Sequence, residues 1–212
     1  MLNKSLKLIR TVRGFDVKLA SLEINRTPYY VDKIEKGILR IQPGIIDDLS
    51  SVYQIPISEI ERINTLDDSG YSITEIINEI SKYYIIKEYN EVFNLNNMKY
   101  VFEKPESPLK LMRIIKGYTM AEVAKMSDVS VSAINKAELL ITNPADRTIS
   151  NLAKIYNMPK EMIEDLMNEQ NENASRAELF YLISKYYIGD NYNSIDELKK
   201  SLGSIKYAKQ NT

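Results

Sequence analysis

Residues 117–138 read GYTMAEVAKMSDVSVSAINKAE, and this stretch decides the fold. Gly117 suits the end of a preceding helix that carries Leu109, Met112 and Ile115. Thr119 is placed to cap a short helix with the apolar stripe Met120, Val123, Ala124 and Met126. Ser127, Asp128 and Val129 make a turn, and Ser130 caps a second short helix with Ile134 and Ala137 facing inward. Two short helices joined this tightly cross at a steep angle, so the first needs a small side chain at the crossing, and Ala124 supplies it. Asp128, four positions on, tolerates the positive φ that such a turn demands.

The stretch has an echo. The string ISKYYI occurs at 80–85 and again at 183–188, 103 residues later. Slid by that distance, Leu6, Lys7 and Arg10 fall on Leu109, Lys110 and Arg113, and Gly14 falls on Gly117. Glu35 falls on Glu138, and Leu49, Tyr53, Pro56 and Ile60 fall on Leu152, Tyr156, Pro159 and Ile163. Self-similarity at a fixed period marks a repeated unit, so the chain reads as two tandem repeats, 1–103 and 104–212. The register is read as breaking locally. The first copy is one residue short between Gly14 and Leu19, and one residue longer between Ala20 and Val31. On that reading Ala20 lies at the helix crossing and Ile24 at the turn, where a β-branched residue does not fit, so the first turn has to be rebuilt.

Apolar spacing is helical throughout and hairpin signals are missing, which predicts an all-α fold. Each repeat holds five helices, over about 4–63 and 107–168, followed by an extra amphipathic helix at about 72–86 and 174–188. The two ISKYYI segments close these extra helices. Each serves either as a lid on its own core or as an interface between the repeats, where tyrosine is favoured. Residues 87–104 are expected to hold a short helix and a linker, with Pro105 and Pro108 at the start of the second repeat.

Composition narrows the function. The 212 residues include no cysteine and no histidine, which removes disulfides, thiolate metal sites and the commonest general base. Adjacent carboxylates such as Asp47–Asp48 and Asp67–Asp68 do not face one another on a helix. No enzyme activity, cofactor or metal is expected. The N-terminus MLNKSLKLIR lacks a signal-peptide core and no apolar run spans a membrane, so a cytoplasmic protein is expected. The net charge is only −1, yet residues 1–40 carry nine basic side chains against four acidic ones. Residues 104–143 carry six against four, so the basic part is the N-terminal one.

The strings LKLMRIIKGYTMAEVAKMSDVSVSAINKAE and LKLIRTVRGFDVKLASLEINRTPYYVDKIEKG, followed by LAKIYNMP and LSSVYQIP, resemble the Cro/CI (Xre-like) helix-turn-helix family. The likeness covers about sixty residues of each repeat. It implies two lambda-repressor-like five-helix bundles and binding to double-stranded DNA. It also implies an ion pair between the first helix and the end of the recognition helix, Arg10 with Glu35 and Arg113 with Glu138. Base-reading positions carried over are Pro28, Tyr29 and Lys33 in the first repeat, and Val131, Ser132, Asn135 and Lys136 in the second. Phosphate contacts carried over are Lys18, Arg26, Thr27, Lys36 and Arg40, and Lys125 and Ser130.

The expected function is a transcriptional regulator acting as an internal dimer on a two-part DNA site with unlike halves. The first repeat, with more positive charge, is expected to supply more of the affinity, and the second more of the specificity. Homodimerisation and a regulatory protein partner are compatible with this. The alternative is a protein-interaction module, antirepressor-like or antitoxin-like, that kept the fold and lost the DNA.

Overall fold

The computed structural model describes residues 3–91, 107–171, 174–189 and 192–207. Among the described residues there are thirteen α-helices and no strand. None of these helices is long and apolar enough to cross a membrane. The chain divides into two compact units, Met1–Tyr83 and Tyr84–Thr212.

In the first unit the helices are α1 (Asn3–Arg13), α2 (Val17–Glu23), α3 (Pro28–Glu35), α4 (Pro43–Tyr53) and α5 (Ile57–Asp68). α1 packs on α3, α4 and α5, and α2 packs on α3 and α4. The core is drawn from every helix: Leu6, Ile9 and Val12 of α1, Ala20 of α2, Val31 and Ile34 of α3, Leu49 and Tyr53 of α4, and Ile60 and Ile63 of α5. Phe15 and Tyr53 meet with ring centroids 5.7 Å apart. α6 (Ile73–Glu91) follows, and the division between the units falls inside it. Ile76, Ile77 and Ile80 are buried, and Glu79 lies 3.7 Å from Arg62 of α5. The helix expected after residue 86 is partly the continuation of α6 to Glu91, and residues 92–106 lie outside the described residues.

The second unit contains α7 (Pro108–Ile115), α8 (Met120–Ser127), α9 (Val131–Glu138), α10 (Asp146–Tyr156) and α11 (Lys160–Asn171). α7 packs on α9 and α11, α8 on α9 and α10, and α10 on α11. α12 (Arg176–Ile188) and α13 (Ile195–Tyr207) complete the unit.

α13 is absent from the sequence reading, although Ile195, Leu198 and Leu202 follow Ser194 at helical spacing and all three are buried. Its presence changes α12. Residues Leu179, Phe180, Tyr181, Leu182, Ile183 and Ser184 are buried in succession, which is the pattern of a helix covered on every side rather than along one stripe. α7, α11 and α13 all pack against it. Of the second ISKYYI copy, Ile183 and Ser184 are buried and residues 185–188 are half-buried, with the Tyr187 hydroxyl donating to the Tyr156 carbonyl at 2.8 Å.

The two expected shifts of register are corrected. Asp16 and Thr119 are the N-caps of α2 and α8, and Thr27 and Ser130 are those of α3 and α9, so the offset stays at 103 throughout. The buried pair in α2 is Ala20 and Ser21, and their counterparts are Val123 and Ala124. The turn residue in the first unit is Asn25, with φ 50°, under Asp128 with φ 55°. Ile24 is not at the positive-φ position; it is buried, as is Ser127 at the equivalent place. The turn needs no rebuilding because asparagine adopts the left-handed region at small cost. Met126, expected inward, is exposed, and Ser127 takes the inward place.

Candidate nucleic-acid interface

Each unit holds its second and third helices by local chemistry. Thr119 accepts from the Glu122 backbone while the Glu122 carboxylate accepts from the Thr119 backbone N–H and hydroxyl, a reciprocal cap. These bonds hold the Glu122 carboxyl below its usual pKa. In α2 the same place is served by Asp16, whose carboxylate accepts from Leu19 N–H at 2.6 Å. Thr27 and Ser130 accept from Tyr30 and Ala133 N–H, at 3.3 and 3.2 Å, and Pro28 sits at the first turn of α3, where its missing N–H costs nothing.

The far end of the third helix is fixed to the first by a fork. Arg10 Nε donates to Glu35 Oε1 at 2.5 Å, and Nη2 donates to Oε2 at 2.8 Å. The remaining nitrogen, Nη1, donates to the Phe15 carbonyl at 2.7 Å. Arg113 repeats the arrangement on Glu138, at 2.6 and 2.8 Å, and on the Tyr118 carbonyl at 3.1 Å. Burial works against the Arg10 charge, but the bond to Glu35 and its charge outweigh this and hold the guanidinium above its usual pKa. For Arg113 the bond to Glu138 is the larger influence, in the same direction. With all three nitrogens engaged, these arginines orient the third helix from beneath.

After the third helix the chain turns by the same device in both units. Ile38 N–H donates to the Lys33 carbonyl and Ile141 N–H to the Lys136 carbonyl, each at 2.9 Å. The residue in the left-handed position is Gly37 in one unit and Leu140, with φ 56°, in the other.

Every position carried over as a DNA contact lies on the surface. Lys18, Arg26, Thr27, Pro28, Tyr29, Lys36 and Arg40 are exposed, and Lys33 is half-buried. Lys125, Ser130, Val131, Ser132, Asn135 and Lys136 are exposed in the second unit. The two surfaces differ chemically. On α3, Lys33 Nζ lies 5.0 Å from the centre of the Tyr29 ring, and Lys36 pairs with Asp32 at 2.8 Å. Arg26 lies over Tyr30 at 5.9 Å. On α9, Lys136 and Asn135 carry no such pairing among the described residues.

The sequence reading overlooked a further property. Of the ten large apolar side chains exposed among the described residues, eight lie at or beside the second and third helices of a unit: Leu22, Tyr29, Ile38 and Leu39, and Met126, Val131, Leu139 and Ile141. Ile38 and Ile141 occupy matching places and are 60% and 63% exposed. Sliding the chain by 103 without gaps would have found this pair, as it would have found Asn25.

Residues 109–163 match the helix-turn-helix family, from the start of α7 into α11. No curated protein and no solved structure matches the chain. The second unit thus contains a helix-turn-helix domain, and such a domain points to a DNA-binding regulator.

Proposed function

We propose that the chain is a DNA-binding transcriptional regulator of the Cro/CI type, in which two helix-turn-helix domains, within 1–103 and 104–212, act as an internal pseudo-dimer. Its target is a two-part site in duplex DNA. The halves are unlike because the recognition helices differ, and their centres are about one helical turn, or roughly 34 Å, apart. The observation that carries this is the constant 103-residue spacing of caps, left-handed turn residue and buried Arg–Glu fork, which gives the first unit the same frame as the matched domain. α3 and α9 are the recognition helices, and the exposed cations Lys18, Arg26, Lys36, Arg40 and Lys125 contact phosphates. The protein works in the cytoplasm, and homodimerisation would bring four such domains to one site.

Selection of duplexes from a random pool at near-physiological salt tests the proposal. A bipartite enriched site supports it. A single half-site would remove the pseudo-dimer, and the absence of any salt-sensitive binding would remove DNA altogether.

A second reading rests on the exposed apolar side chains around α3 and α9. Such surfaces also suit a protein partner, and co-purification with a defined partner together with indifference to DNA would favour it.

A further inference from the structure

α9 offers a short and unusual set of side chains. Val131, Ser132, Ala133, Asn135 and Lys136 are exposed, whereas Glu138 is buried on Arg113. No free carboxylate remains on this helix to accept from cytosine N4, and no arginine is present to clasp guanine. Beside the Ser132 hydroxyl and the Lys136 ammonium there remain a pair of methyl groups on Val131 and a carboxamide on Asn135, one helical turn apart on one face. The Asn135 amide has no hydrogen-bond partner among the described residues. Asn151 of α10, by contrast, spends its amide on the Ser127 carbonyl at 3.1 Å. Ser130 below and the buried Ile134 and Ala137 behind fix the helix that carries both groups.

In the major groove adenine presents N7 as acceptor and N6 as donor, which a carboxamide matches with two bonds, and thymine presents a methyl group. One helical turn rises about 5.4 Å, so side chains that far apart reach bases one or two steps of about 3.4 Å apart. The geometry points to an A·T half-site for the second unit, with Asn135 reading an adenine and Val131 packing on the methyl of a thymine one or two base pairs away. Lys136, without a carboxylate partner among the described residues, then takes a backbone phosphate.

The first unit does not repeat this readout. The residues 103 places earlier are Pro28 and Asp32, and the Asp32 carboxylate holds Lys36. The A·T preference therefore belongs to one half of the site only. This inference rests on the DNA-binding reading and names what that reading recognises.

The test uses the full chain on its selected duplex at fixed salt. At one position, exchange of A·T for G·C weakens the wild type by on the order of tenfold to a hundredfold. Asn135→Ala abolishes that discrimination. At a neighbouring position, uracil in place of thymine removes only the methyl group and weakens the wild type about threefold, while Val131→Ala is indifferent to the change. Both replacements are on the surface, and unchanged helicity confirms that the variants fold. Salt-sensitive binding with a G·C half-site, or variants that keep the wild-type preferences, would overturn this inference and leave the DNA-binding reading standing. Loss of all duplex binding in the wild type would overturn both.

Discussion

Asn25 and Asp128, 103 residues apart, both close the turn between the second and third helices with left-handed backbone, φ 50° and 55°. Neither is glycine, and both belong to the small set of residues for which this region is accessible. The turn sets how the third helix leaves the second, so the same backbone in both units gives both third helices the same local support.

Glycine should relieve what remains of the cost. Asn25→Gly and Asp128→Gly are expected to be neutral or stabilising by a few tenths of a kcal/mol, whereas Asn25→Val should destabilise by about 1–2 kcal/mol. Urea unfolding followed by helical circular dichroism measures both.

Leu140 is the harsher case, because a bulky side chain with φ 56° occupies the place that Gly37 fills in the first unit. Leu140→Gly should raise stability by about 1 kcal/mol, and Gly37→Leu should lower it by a similar amount. A stability gain accompanied by unchanged DNA affinity would identify the strain as incidental. A gain accompanied by weaker binding would tie it to function.

The Arg10–Glu35 fork has side chains only 11% and 5% exposed. Glu35→Ala leaves the guanidinium buried without its partner and should cost about 3–5 kcal/mol, while Arg10→Met with Glu35→Leu should recover most of the loss. Denaturant midpoints of these two variants decide this, and an equal loss in both would contradict it.

Alkaline pH should unfold the protein. Burial pushes the Tyr53, Tyr156 and Tyr187 hydroxyls well above their usual pKa. These groups stay protonated in the folded state after the unfolded chain begins to ionise near pH 10. Their contribution is thus complete below about pH 10 and is lost as pH climbs from there through the folded values. Tyr187→Phe removes the bond to the Tyr156 carbonyl. It should cost about 0.5–1.5 kcal/mol at neutral pH, yet make the alkaline decline shallower. Urea midpoints taken between pH 7 and 11 show whether the slope changes.

Lys33 and Lys136 hold matching places in unlike surroundings, one over a tyrosine ring and the other unpaired among the described residues. Lys136→Ala should weaken binding to random duplex and reduce the salt slope by about one. Lys33→Ala should produce a different loss. Equal losses in a salt titration would favour a symmetric pair of half-sites.

The resemblance implied the partners of both arginine forks, and the sequence by itself determined the helices of the two bundles and the caps Thr27, Thr119 and Ser130. Those features depend on local chemistry and on a 103-residue recurrence, and both are written in the order of residues. Tertiary structure decided what local pattern leaves open. Inserting gaps put Ile24 at the first turn; the ungapped register puts Asn25 there, and the packing of Ala20, Ser21 and Ile24 against the core decided between the two. α12 looked amphipathic because its periodicity says nothing of a thirteenth helix packed across it. The exposure of Tyr29 and Ile38 in one unit, and of Val131 and Ile141 in the other, was likewise hidden, since burial is fixed by what the rest of the chain covers, and an apolar letter in a sequence does not say whether it is covered.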